Sequence, residues 1–288
     1  MAKSPTHKFG QIIGDLFERS MEATLVDFVN SHSNLYLDKK GYRPARGNKK
    51  KLSWKDKFGN VHDLDFVIEV NGTENNFGNP TAFIEIAWRR YTKHSRNKAQ
   101  EIQGAILPLY ETYKNNCPFI GAIIAGDFTE GAKTQLISRG FELLYFDYKT
   151  IIDAFSLVGI DAFFDEETAD NIVKDKVKAY EALMPEQVSK IEEELRIIKK
   201  DEINRFIDAL NKTILRKIER IIINTFHGSK YKVHNINDAI RYIENYKIDH
   251  DSLVLNKFEI LIRYTNGDRI DAFFNEREKA IDFLNKYV

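Results

Sequence analysis

The chain has 288 residues, 43% hydrophobic and 30% charged, enough to bury a sizeable core without disulfide staples. Its 43 Lys and Arg balance 43 Asp and Glu, so affinity for a charged partner has to come from local patches. The single cysteine, Cys117, excludes a disulfide framework and a cysteine-based zinc site. No apolar run approaches the roughly 20 residues of a membrane span, and the first ten residues lack the apolar core of a signal peptide, which points to a cytoplasmic protein.

Apolar residues at Ile13, Leu16, Phe17, Leu25 and Phe28 recur at helical spacing and predict a helix over 9–30. Residues 31–60 are polar and basic, with Gly41, Pro44, Gly47 and Gly59, and read as loops with room for a short hairpin. Residues 63–70 alternate and predict a strand. A turn-rich stretch over 71–80 leads to a second strand over 82–88. A helix over 95–115 contains Pro108, which can bend it. The pattern continues with a strand over 119–125, a helix over 131–139, a strand over 141–147 and a helix over 150–158. This order is that of an α/β domain with a mixed sheet flanked by helices. From 165 to 226 the texture is that of long, charged amphipathic helix, with Ile191, Leu195, Phe206, Leu210 and Ile222 on one stripe. A hairpin is expected over 257–274 around Asn266-Gly267, a strong short hairpin signal, and a last helix over 276–287. The chain reads as free of internal repeats.

The neutral total hides two basic runs. Nine Lys and Arg stand against one acid, Asp56, between Lys39 and Lys57, including Arg43, Arg46, Lys49, Lys50 and Lys51. Arg89, Arg90, Lys93, Arg96 and Lys98 follow in a second run without an acid. Alone, such a run marks a solvated surface. Two runs flanking a carboxylate cluster are suited to phosphates of a nucleic-acid backbone.

That cluster is His62-Asp63-Leu64-Asp65-Phe66-Val67-Ile68-Glu69, then a turn, then Ala82-Phe83-Ile84-Glu85-Ile86-Ala87-Trp88. Alternation puts Asp63, Asp65 and Glu69 on one face of the first strand, and Glu85, Ala87 and Arg89 on one face of the second. If the strands pair as a hairpin, Asp65 and Glu85 converge. A carboxylate on a strand ordinarily marks the solvated face, but Glu85 interrupts an apolar run, where a charge is costly unless paired or bound to a metal. Two convergent carboxylates form a hard-oxygen site suited to Mg²⁺.

With these residues the chain resembles the PD-(D/E)xK nuclease superfamily, and in texture a type II restriction endonuclease, over roughly 9–158. Gly14-Asp15-Leu16-Phe17-Glu18 on the first helix is also similar to the family's pattern. The resemblance implies a restriction-endonuclease-like core over 1–160 and a mainly helical C-terminal region over 161–288 for dimerisation or DNA recognition. It implies Mg²⁺-dependent (or Mn²⁺-dependent) hydrolysis of double-stranded DNA by a homodimer. Asp65 and Glu85 would hold the metal, with the Ile86 carbonyl and Glu18 as further ligands. One departure stands out: the family's lysine belongs two residues after the Glu, where this chain has Ala87. Lys98 is the candidate replacement, because Ile102, Ala105 and Leu109 share its helical stripe. A repair or junction nuclease of the same fold, and a non-cleaving DNA-binding protein on an inactive core, are the alternatives.

Overall fold

Helix α1 (Pro5–Asn30) begins where Ser4 accepts a hydrogen bond from the His7 N–H at 3.2 Å and Pro5 occupies the first turn. Its inner stripe, including Phe9, Ile13, Leu16 and Phe17, is fully buried. In this computed structural model the described residues are 4–47, 49–116, 118–225, 230–246 and 257–287; Cys117 lies outside them. The chain divides into two units, Met1–Asn211 and Lys212–Val288. The boundary near residue 160 expected from the change of texture is therefore corrected.

The first unit is α/β, around a mixed sheet of β1 (Leu35–Lys39), β4 (Phe66–Val70), β5 (Asn79–Arg89), β6 (Phe119–Gly126) and β7 (Glu142–Phe146), in spatial order β1-β4-β5-β6-β7. The first three strands pair antiparallel, and β5-β6 and β6-β7 pair parallel. β6 is buried along its whole length, as expected of a strand covered on both faces. On one face α2 (Ser95–Thr112) and α3 (Glu130–Ile137) cover Val67, Phe83, Ala87, Ala122 and Ile124. On the other, Phe9 and Phe17 of α1 meet Phe155 of α4 (Tyr148–Ser156) and Phe146 edge to face. Gly126 closes β6 at φ +95°, where a Cβ would come within 2.0 Å of the Arg89 carbonyl oxygen, so the C-terminal ends of β5 and β6 are tightly joined.

Two sequence expectations change here. The strand expected over 63–70 is two: β3 (Val61–Asp63) pairs with β2 (Ser53–Lys55) in a separate hairpin, and β4 starts only at Phe66. The break at Leu64-Asp65 exists because Leu64 is drawn into the core under α2. The long helix expected over 165–226 is three, α5 (Asp170–Glu181), α6 (Pro185–Ile198) and α7 (Lys200–Ile214), followed by a strand. Pro185 forces the first interruption. Helices α5 and α6 pack on α1, where Arg19 Nε donates to Glu192 at 2.8 Å and Ser20 Oγ donates to the Glu192 carbonyl at 2.7 Å.

The second unit, the last part of the region over 161–288, combines an antiparallel sheet with helices. It contains β8 (Ile218–Asn224), β9 (Tyr231–Val233), α8 (Ile236–Asn245), β10 (Phe258–Tyr264), β11 (Arg269–Phe274) and α9 (Arg277–Asn285), with antiparallel sheet order β11-β10-β8-β9. The Asn266-Gly267 hairpin and the last helix are where the sequence placed them. The same strand-strand-helix unit occurs twice. Ile221, Ile222 and Ile223 stand opposite Ile262, Leu261 and Ile260, and buried Ala239 and Ile243 of α8 have counterparts in Ala280 and Leu284 of α9. A structural repeat is thus present where none was read, because it is kept in burial pattern more than in residue identity. No helix among the described residues is long and apolar enough to cross a membrane.

Candidate active site

The β1-β4 ladder ends with Lys39 opposite Phe66, and the β4-β5 ladder with Phe66 opposite Ile84. One step beyond, Lys40, Asp65 and Glu85 form a row across three strands. Lys40 Nζ lies 2.6 Å from Asp65 Oδ1. Asp65 Oδ2 accepts the Ile86 N–H at 2.8 Å, and Glu85 stands opposite Asp65, one step past the Phe66–Ile84 pair. Asp65 and Glu85 therefore meet across adjacent antiparallel strands, as alternation required. Both are buried. Glu18, on α1, joins through Lys40, whose Nζ donates to its Oε1 at 3.2 Å.

The electrostatics follow from crowding three carboxylates, Asp65 and Glu85 buried and Glu18 partly exposed. Burial and the neighbouring Asp65 charge push the Glu85 carboxyl up to about 8. Burial and the same Asp65 charge raise Glu18. Burial works against the Lys40 ammonium, but the Asp65 and Glu18 carboxylates outweigh it and raise Lys40 above the ordinary lysine value. Lys98, with a side chain 18% exposed, sits near enough for its charge to favour ionised Glu85; its Nζ also lies 3.5 Å from Glu101. Lys98, Glu18, Ile86 and Ala87 line one cleft of about 410 Å³ between α1 and the end of β5. Ala87 is 4% exposed and packs with Ala99 and Ile102, so its position serves the core.

Glu85 makes the stability of the metal-free chain depend on pH. Between the ordinary carboxyl value near 4.5 and about 8, the folded chain holds a proton that the unfolded chain has released. Stability from this group therefore falls as pH rises through that window. Glu85→Gln is expected to match the native chain near pH 4 and to exceed its unfolding free energy by up to about 5 kcal/mol at pH 8.5, read by urea unfolding in EDTA. Identical pH slopes for both chains would contradict the assignment.

The basic residues separate into two groups. Arg43 is 1% exposed, its Nη1 2.6 Å from Asp38 and 2.5 Å from Glu69, with Nε and Nη2 donating to the Thr73 carbonyl. Arg46 is buried, its Nη2 donating to the Lys39 and Gly41 carbonyls. Neither is placed to meet a phosphate, which corrects their reading as DNA contacts: buried carboxylates and carbonyls need them as internal partners. Glu69, expected beside Asp65, is the buried partner of Arg43. Lys49, Lys50, Lys93 and Arg96 are exposed, as is Lys51, which pairs with Asp63 at 2.7 Å. Arg89 is half-buried, 3.6 Å from Glu101, and Arg90 stacks on Tyr91 and Phe164. Lys40 was missed because β1 was read as loop, which hid its register against Asp65.

Among the described residues, no group of three or more His, Cys, Asp or Glu side chains is arranged to hold a metal. No family model and no curated protein matches the chain. Among solved structures it is similar to a crystal structure of a protein of unknown function, AF1548, at 11% identity and a TM-score of 0.30, over 69% of this chain and 98% of that one. A likeness of that size carries no argument.

Proposed function

We propose that the first unit is a restriction-endonuclease-like core acting as a Mg²⁺-dependent DNA endonuclease, of the type II site-specific kind. The observation that carries the reading is the Lys40, Asp65, Glu85 row, with Glu18 and Lys98 beside it. The strand order, two antiparallel pairings followed by parallel ones, supports it.

The donor set fits a hard divalent cation. The Lys40 ammonium already serves as a cation between Asp65 and Glu18, and burial and the Asp65 charge raise Glu85, a crowding of acids that a divalent ion would relieve. Mg²⁺ keeps several waters and needs few protein oxygens, so two carboxylates and the Ile86 carbonyl make a sufficient set without a third acid. The residues that would hold it are Asp65 and Glu85, with the Ile86 carbonyl and Glu18 in support. A bound Mg²⁺ (or Mn²⁺) would polarise a phosphoryl oxygen and lower the pKa of water. The Ile86 N–H and the Lys40 ammonium hold the Asp65 carboxylate in place. Lys98 brings positive charge to the Glu85 side, where it would stabilise negative charge developing on the phosphate. Exposed Lys49, Lys50, Lys51, Lys93 and Arg96 would take backbone phosphates of duplex DNA. A palindromic target would call for a two-fold dimer.

Incubation of plasmid and phage DNA with Mg²⁺ is the test. The expected result is a fixed fragment pattern that EDTA abolishes. Metal-dependent cutting without a fixed pattern favours a repair or junction nuclease. Duplex binding with no cutting in Mg²⁺ or Mn²⁺ favours a binding protein on an inactive core, the reading that Ala87 supports.

A further inference from the structure

A second concave site lies in the first unit, away from the carboxylates. It is a groove of about 610 Å³ between the β2-β3 hairpin, the start of β5 and the end of α2. Asn79 and Pro80 line it, five to six residues before Glu85 on the same strand, or about 17–20 Å away. Its aromatic lining is Trp54, Phe77 and Tyr113. The Trp54 ring centroid is 5.4 Å from that of Phe77 and 5.6 Å from that of Tyr113, both edge to face. Phe77 is 49% exposed, with the Arg43 guanidinium over its ring at 4.9 Å.

The polar lining is one-sided. Lys49, Lys51, Lys55 and Arg46 line the groove, and among the described residues no carboxylate does. Lys51 is engaged by Asp63 at 2.7 Å, but Lys49 and Lys55 are exposed and have no acidic partner among the described residues. Three buried donor atoms of lining residues have no partner among the described residues: the indole N–H of Trp54 and the Nε and Nη1 of Arg46.

Aromatic faces select a flat ring, and cations without counter-charges select an anion. An inorganic anion uses only the second feature, and an apolar ligand only the first. We propose that this groove is a nucleotide site, taking a base against Phe77 and Tyr113 and its phosphate on Lys49 and Lys55. The nucleotide can be free or an unstacked nucleotide of a nucleic-acid strand. In the second case the proposal deepens the nuclease reading, with the groove gripping the strand a few nucleotides from the cut.

The test is quenching of tryptophan fluorescence of the full chain in EDTA, titrated with dAMP and with a short single-stranded oligonucleotide. Because it needs no metal and no cleavage, failure of the nuclease reading leaves it intact, and its own failure leaves that reading intact. Lys49→Ala/Lys55→Ala, a surface change, and Phe77→Leu should each weaken binding at least tenfold. Lys149→Ala/Lys178→Ala, removing two exposed lysines elsewhere, should leave it unchanged. Binding of dAMP alone assigns the site to free nucleotides, and binding of the oligonucleotide alone assigns it to a strand; both support the proposal. Unchanged affinity in both groove variants overturns it, as does equal loss in the Lys149/Lys178 variant or competition by inorganic phosphate as strong as by dAMP.

Discussion

Asp65→Asn or Glu85→Gln is expected to reduce Mg²⁺-dependent DNA cleavage by at least about 1000-fold, or ~4 kcal/mol in the barrier, with duplex affinity nearly unchanged. Each substitution keeps the shape of the side chain and removes one anionic oxygen donor. Neither touches an exposed lysine, and backbone affinity comes from cations that neutralise phosphates. Asp65 is the more sensitive of the two, because it joins Lys40, the Ile86 N–H and Glu85 in one cluster. Lys98→Ala belongs to the same series at about a hundredfold, ~2.7 kcal/mol, since it removes charge beside Glu85 without removing an oxygen donor. Cleavage rates and filter-binding affinities of the purified, folded variants decide the matter. Full-rate cleavage by Asp65→Asn would remove that residue from the mechanism.

Arg43→Met is expected to lower the unfolding free energy by about 3–5 kcal/mol. Glu69 is 0% exposed and Asp38 is 1% exposed, and both face the Arg43 guanidinium. Without it, two carboxylates remain in a dry interior and the Thr73 and Asn76 carbonyls lose a donor. The guanidinium is also held by rings, 4.4 Å from the Tyr36 centroid and 4.9 Å from that of Phe77. Arg43→Lys should recover only part of the loss, because one ammonium cannot reproduce the forked contacts. Chemical denaturation measures both. A cost below about 1 kcal/mol for Arg43→Met would mean that the buried network contributes little beyond what apolar packing supplies in its place. DNA affinity of folded Arg43→Lys should stay close to that of the native chain, which separates the internal role from a phosphate contact.

Much of the first unit is written in local patterns. The helical stripe of Phe9, Ile13 and Leu16 and the apolar runs of β5 and β6 are signals over a few residues, so they survive without knowledge of the fold. Glu85 was legible for the same reason: a carboxylate inside an apolar strand stands out wherever that strand packs. Asp65 followed once the two strands were taken as neighbours. The Asn266-Gly267 turn carried its hairpin because two residues fix that geometry.

What the tertiary structure decided is which charges are inside and what stands beside them. Lys40, Arg43, Arg46 and Lys49 look alike in one basic run, yet the first is in the carboxylate row, the next two are internal partners and the last is exposed. Nothing local distinguishes them, because each fate depends on strands distant in sequence: β1 short and polar enough to read as loop, Glu69 and Asp65 on β4 and just before it. The division at residue 211 was hidden in the same way, since α5 and α6 look like an independent helical region until α1 is seen to need their apolar faces. The sequence by itself determined most of the helices and central strands of the first unit and marked Glu85 as a carboxylate in an apolar strand. Only the pairing of distant strands determined the partners of that carboxylate, because register is set by contacts among side chains that the chain brings together after it folds.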